Sequence, residues 1–241
     1  MPGADLTPVT EKSFERYMAL TEARFQQDFQ PSRFLWLDGR PDDRARVRQG
    51  EKLIVARTTL DGGKPVKVPD GLIQDWLGAM FIPNTTIAQV RAVMQDYPDY
   101  QRIFAPEVTE SRIDGQDGDR YQVFLRLYKK QILTVVLNAH YDIKYEVLDA
   151  GRLAVDSHST RIAEVKGERE LPVGHDTGFL WKLNSFWRFE AADGGVYVEC
   201  EAISLSRDVP FGLFMIRKFV ERFPKESMEN TLEGLRRALG K

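Results

Sequence analysis

The sequence predicts an α+β fold: a curved antiparallel sheet wrapped around a long C-terminal helix, with an N-terminal extension of helix and strand. Three observations predict it. The run Asp176 to Pro210 holds two alternating arms around a glycine turn, the segment Leu133 to Tyr145 alternates with an uncharged apolar face, and a Phe-rich stripe follows Pro210. Alternation at a period of two marks strands, and recurrence at three and four residues marks helices.

From the N-terminus, Phe14, Tyr17, Met18, Thr21, Phe25 and Phe29 fall on one stripe and predict a packing helix over Glu11 to Phe29. Pro31 to Arg48 is polar, with Asp42, Asp43, Arg44, Arg46 and Arg48 close together, and reads as a solvated loop. Glu51 to Thr59 reads as a strand, Asp61-Gly62-Gly63 as a turn, and Gly71 to Ile82 as a second strand stopped by Pro83. Ile87, Val90, Met94 and Tyr97 then sit at helical spacing, with Asn84 or Thr85 as the cap. Asp96-Tyr97-Pro98-Asp99-Tyr100 breaks that helix, a short one reaches Phe104, and Pro106 returns the chain to strands.

From Val108 to Arg207 the pattern is strand and turn: Val108 to Ile113, Arg120 to Lys129, Ile132 to Val147, Arg152 to Val165, and the two arms. Turn residues at 114–118, 150–151 and 193–195 make sequence neighbours into sheet neighbours. In the third of these strands Leu133, Val135, Leu137, Ala139, Tyr141, Ile143 and Tyr145 share a face that must be covered. In the first arm Phe179, Trp181, Leu183, Ser185, Trp187 and Phe189 share a face, as do Val196, Val198, Cys200, Ala202 and Ser204 in the second. With Ala191 to Gly194 as the loop, Phe189 faces Val196 and Trp187 faces Val198, so bulky aromatics stand beside small residues and leave room. Leu213, Ile216, Val220 and Phe223, with Phe214, Met215 and Phe219 beside them, supply the cover. Pro224 breaks that helix before a fresh start carrying Met228, Leu232, Leu235 and Leu239.

This succession of strand, Ile82-Pro83, helix, Asp96-Tyr97-Pro98-Asp99-Tyr100, Phe104-Ala105-Pro106-Glu107-Val108, Ser111-Arg112, strand meander, Leu205-Ser206-Arg207-Asp208-Val209-Pro210 and terminal helix resembles the START and Bet v 1-like (SRPBCC) superfamily. Within it the chain is most similar to bacterial polyketide-cyclase or coenzyme-Q-binding-like members. The resemblance covers Gly71 to the end, so residues 71–241 are expected to form a START-like ligand-binding domain and residues 1–70 an extension packed on it. It implies a helix-grip fold around a cavity for a lipid, sterol, quinone or polyketide-like molecule, and no single chemistry. Binding or transport of a hydrophobic small molecule is the expected function. A cyclase or hydrolase acting on a bound hydrophobic substrate is one alternative, and a protein-interaction module with a filled cavity is another. The expected ligand-lining residues are Tyr141, Tyr145, Trp181, Trp187 and Phe189 on the strands and Phe214 and Phe219 on the helix.

Composition narrows the partners. The 241 residues carry 34 basic and 36 acidic side chains, a net charge of −2, which gives no global electrostatic reason for nucleic acid or an anionic membrane. No segment reads as a membrane span, which leaves transient membrane contact and the oligomeric state open. The N-terminus lacks a signal-peptide core, so the sequence as given reads as cytoplasmic; a trimmed leader would make it exported.

Chemistry-bearing motifs are sparse, and neither a catalytic residue, a metal site nor a cofactor is assigned. GxSxG, HExxH, CxxC, phosphate-loop and dinucleotide patterns do not occur. His140 and His158 fall in strands, His140 on a polar face with Asn138 and Asp142, and His175 precedes Asp176 in a loop that supplies at most half of an acid/base or metal pair. Cys200, the single cysteine, reads as a small buried residue. On the opposite strand faces Lys182, Asn184 and Arg188 lie near Glu199 and Glu201, a pattern for ion pairs on a solvated sheet, with an inward Arg188–Glu201 pair as the alternative. Leu180, Phe186, Tyr197, Ile203 and Leu205 share that outer face and call for a cover, from the N-terminal segment or a second subunit.

Overall fold

The structure, a computed structural model, describes residues 4–28, 33–130, 134–208 and 214–240, with side chains in the last stretch described from Pro224 onward. Among these residues a nine-stranded antiparallel sheet dominates. Its strands are β1 (Leu53–Ala56), β2 (Gly71–Pro83), β3 (Val108–Asp117), β4 (Arg120–Lys130), β5 (Thr134–Asp149), β6 (Arg152–Lys166), β7 (Lys182–Ala192) and β8 (Gly195–Arg207), with the short piece Arg169–Glu170 paired to β6. The order across the sheet is β1-β2-β8-β7-β6-β5-β4-β3. Each pair from β3 to β8 is therefore a hairpin, while β2 closes on the last strand.

Two of the hairpin predictions need correction in detail. The β7–β8 turn is two residues, Asp193-Gly194, with φ of 53° and 77°, so the register pairs Phe189 with Val198 and Trp187 with Cys200. Asp-Gly accepts positive φ at both positions, the type I′ geometry that matches strand twist, and the strands extend to Ala192 and Gly195. The shift is two residues, so the faces survive. The β3–β4 hairpin is likewise longer than predicted, with pairing that continues to Asp117 and Arg120.

The concave face holds the main core. Val135, Leu137, Ala139, Tyr141, Ile143 and Tyr145 of β5 are all buried in it, as alternation requires. Between β2 and β3 the chain crosses through α3 (Ile87–Gln95) and the short α4 (Tyr100–Ile103). The cap of α3 is Thr86, one residue past the predicted Asn84 or Thr85: its hydroxyl accepts from the Gln89 amide, while the Gln89 side chain accepts from the Thr86 amide. The C-terminal helix (Phe214–Ala238) sets Met228, Leu232 and Leu235 into the core. Pro224 lies inside this helix, not at a break. One missing amide is tolerated where the apolar seam keeps the helix on the sheet.

The convex face is covered too. Phe14, Tyr17 and Met18 of α1 (Pro8–Asp28) pack with Trp181, Phe186, Ile203 and Leu205. Phe34, Leu35, Leu37 and Val47 pack with Leu77, Ala79, Phe81 and Tyr197. Pro31 to Arg48 thus departs from the predicted loop: its described part forms a 3-10 turn at Trp36–Gly39 and α2 (Pro41–Arg48). The charges that suggested solvation suit a helix instead, with Pro41 at its start, Asp42 and Asp43 in the first turn and Arg46 and Arg48 in the last. Arg188, Glu199 and Glu201, read as a solvated row, are buried beneath this cover. Arg188 stays on the outer face and pairs with Asp156 at 2.8 Å.

Candidate functional site

Between the concave sheet and the C-terminal helix lies a cavity of about 250 Å³. Its walls differ in chemistry. One is aromatic, from Tyr97 and Tyr100 after α3, Tyr141 and Tyr145 on β5, and Trp187 on β7. The other is built of small side chains, Ser157 on β6, Ser185 on β7, and Cys200, Ala202 and Ser204 on β8. Trp187 stands directly across from Cys200, and Ser185 across from Ala202, so small residues opposite large ones keep the space open.

Most tyrosine hydroxyls here are committed. Tyr145 donates to the Met94 carbonyl at 2.7 Å, and with its single proton spent it accepts from Tyr97, also at 2.7 Å. Tyr100 donates to the same carbonyl at 2.6 Å. Burial pushes all three phenols above their ordinary range, so they are anchors for the loop after α3 rather than bases. Tyr141 differs. Its hydroxyl, also pushed up by burial, has no hydrogen-bond partner among the described residues, nor do those of Ser157, Ser185 and Ser204. Ser157 and Ser185 are direct cross-strand partners, and Tyr141 and Ser204 flank them diagonally. Four consecutive strands each present one unused hydroxyl to the cavity.

A polar cluster closes one end. Glu107 accepts from Lys129 (2.8 Å), Ser227 (2.8 Å) and Asn230 (2.7 Å), tying the segment before β3 to β4 and the C-terminal helix. Burial raises the Cys200 thiol, leaving it protonated against the wall.

The predicted lining residues separate on this geometry. Tyr141, Tyr145 and Trp187 line the cavity. Phe189 is fully buried in the core and stacks on Trp187 at 5.8 Å, supporting that ring from behind. Trp181 is on the other side of the sheet, packed against α1, with Nε1 donating to Asp176 at 3.1 Å. The alternation was extended too far toward the N-terminus: β7 begins at Lys182, and the bend at Gly178 (φ 70°) turns Phe179 and Leu180 inward and Trp181 outward. The side chains of Phe214 and Phe219 lie outside the described residues. The sequence places Ser185 and Ser204 on the apolar faces of their strands without marking them as lining residues, and it gives no sign of Ser157, because a serine on an apolar strand face has no motif. Its signal was position alone.

The histidines lie apart from the cavity. His140 approaches Asp114 (3.3 Å), His158 approaches Glu22 (4.0 Å), and His175 bonds Asp5 (2.8 Å) where the two short strands Ala4–Asp5 and His175–Asp176 pair. Asp176 itself accepts from the Gly178 amide at 2.7 Å, a turn-forming role. Among the described residues no group of three metal-ligating side chains occurs, and no helix is long and apolar enough to cross a membrane.

Comparison with known proteins places the architecture. No family model and no curated protein matches this sequence. Solved structures do match. The STAR-related lipid transfer protein from Xanthomonas axonopodis superposes with a TM-score of 0.54 at 14% identity, over 78% of this chain and 99% of that one. Human STARD10 gives 0.52 at 6% identity over 90% of this chain and 78% of that one. The Zhui aromatase/cyclase from a Streptomyces species gives 0.51 at 12% identity over 70% and 94%. With its curved sheet and C-terminal helix, the chain has the helix-grip fold that these structural neighbours share.

Proposed function

We propose that this protein binds and carries a hydrophobic small molecule bearing oxygen atoms along one edge. The cavity with its row of unused hydroxyls from Tyr141, Ser157, Ser185 and Ser204 carries this reading. These hydroxyls open onto the cavity instead of being sealed in protein, and a ligand carbonyl or hydroxyl in the row would take the hydrogen bonds that water offers there while the aromatic wall buries the apolar body. Affinity follows from the apolar area removed from water, about 25 cal/mol per Å² before ordering costs. At about 250 Å³ the space suits one compact ligand such as a quinone, a short polyketide-like chain or the head of a larger lipid. Within residues 1–70, α1 and the segment 33–48 serve as a cover of the outer sheet face while β1 completes the sheet edge, and residues 71–241 supply the ligand-binding domain.

A cyclase reading is the second one, favoured by the same row of hydroxyls, which could fold an oxygenated chain against Trp187. Native mass spectrometry of the purified chain, followed by extraction and a panel of quinones, fatty acids and aromatic polyketides, tests both. A bound mass that exchanges unchanged supports carriage, and a panel compound returned with a new ring supports cyclisation. Absence of any bound mass, with no binding across the panel, would sink both readings.

A further inference from the structure

The opposite side of the sheet holds a second cavity, of about 650 Å³, between the end of α1, residues 33–40, β1 and the outer faces of β7 and β8. Its lining is unlike that of the inner one. Five arginines reach it, Arg24, Arg33, Arg40, Arg57 and Arg188, against two glutamates, Glu199 and Glu201.

Both glutamates have partners, although Oε2 of Glu201 is buried without a donor among the described residues. Glu199 accepts the Trp36 and Leu37 amides at 2.8 and 2.9 Å, and Glu201 pairs with Arg24. Arg188 has Asp156. Arg33, Arg40 and Arg57 have no carboxylate partner among the described residues, and Nε of Arg24 is buried without an acceptor. One solvated arginine on a surface is ordinary. Several around one concavity, with an unfilled buried donor beside them, leave a positive field that an anion would neutralise.

The apolar part of the lining is aromatic: Phe25, Phe34, Trp36 and Phe186. Arg40 lies over the Trp36 ring at 4.3 Å, an arrangement that holds a guanidinium in place for a planar, bidentate partner. We propose that this outer cavity is a second binding site, for an anion of the phosphate or carboxylate type carried on an apolar or aromatic body. Arginine forks match both groups, and the rings give the body a surface to lie on. The site is independent of the inner cavity, because the sheet separates them.

Titrating the full chain with phenyl phosphate, with benzyl alcohol as the uncharged comparator, tests it. Saturable binding of phenyl phosphate, weakened about tenfold or more in the Arg40→Gln/Arg57→Gln double variant, is expected. Ala202→Trp, which fills the inner cavity, should leave that binding intact. Both arginines are at least partly exposed, so the double variant should fold; in the wild-type chain, amide shifts of Trp36 and Leu37 on titration give a second readout. Vesicles of phosphatidylcholine with and without phosphatidic acid distinguish the source: binding only to the acidic vesicles, lost in the double variant, assigns the anion to a lipid headgroup. Absence of both kinds of binding, binding unchanged in the double variant, or binding lost in Ala202→Trp would overturn the proposal.

Discussion

The hydroxyl of Tyr17 on α1 donates to Oδ2 of Asp75 on β2 at 2.7 Å, joining the N-terminal helix to a buried carboxyl on the outer sheet face. The Thr59 amide in turn donates to the same hydroxyl at 2.8 Å. Asp75 is 3% exposed and lies diagonal to Glu201 across the β2–β8 pairing. Asp75 Oδ1 and Glu201 Oε2 find no donor among the described residues, a need that one shared proton would meet.

That proton makes stability depend on pH. Burial first, then the charge of Glu201, raises Asp75 to about 8, and burial raises Glu199 to about 7. Arg24 beside Asp75 and the Tyr17 hydroxyl pull the other way without reversing the direction. Both carboxyls bind protons more tightly folded than unfolded. Their contribution is therefore fully present below the unfolded value near 4 and is lost as pH rises toward 8. Urea unfolding should show a loss on the order of 4 kcal/mol between about pH 6 and about pH 9, and Asp75→Asn, which can donate to Glu201 and still accept from Tyr17, should remove the larger part of that slope and leave the Glu199 part. An equal slope in the variant would show that Asp75 is not the group responsible.

The two tryptophans of the aromatic arm should report opposite sides of the sheet. Ligand entry should quench or shift Trp187 fluorescence and leave Trp181 unchanged, which single Trp→Phe variants can resolve. Trp187→Ala should weaken binding by about tenfold or more through lost ring contact, whereas Trp181→Phe should leave affinity within about twofold.

Removing hydroxyls from the cavity should change preference more than strength. The double variant Ser185→Ala/Ser204→Ala should bind naphthalene at least as well as the wild type and 1-naphthol less well. A fall in the preference ratio of about five- to tenfold corresponds to one net hydrogen bond. An unchanged ratio would argue that the row does not touch ligand oxygen.

Gly234 is where the C-terminal helix meets α4: a Cβ there would fall 2.6 Å from the Ile103 carbonyl oxygen and 3.0 Å from the Phe104 ring. Gly234→Ala would gain about 1 kcal/mol of helix propensity, yet the clash is with backbone, which cannot rotate away. The clash should dominate, for a net loss of about 1–3 kcal/mol in denaturant unfolding. A stabilised variant would mean that the helix can slide on α4.

Much of the fold was legible because alternation is a local property. The β5 stripe from Val135 to Tyr145 and the aromatic arm of β7 announce their faces whatever they pair with. The exceptions are informative. Trp181 kept the alternation yet crossed to the outer face, because a bend at Gly178 precedes the strand. Arg188, Glu199 and Glu201 read as a solvated row because charges on a strand face usually are solvated. What covers them comes from α1 and residues 33–48, more than a hundred positions away, and no local pattern links the two.

The chain by itself determined the strand succession, the apolar faces of β5, β7 and β8 and the terminal helix that closes on them, since each depends on periodicity within a single element. Tertiary structure decided that Tyr141, Ser157, Ser185 and Ser204 converge as one row, which tryptophan reaches the cavity, and that a second, arginine-lined space exists behind the sheet. Those properties arise where separate elements meet, and the free energy of burying or pairing a side chain is set by neighbours that its own stretch of sequence does not contain.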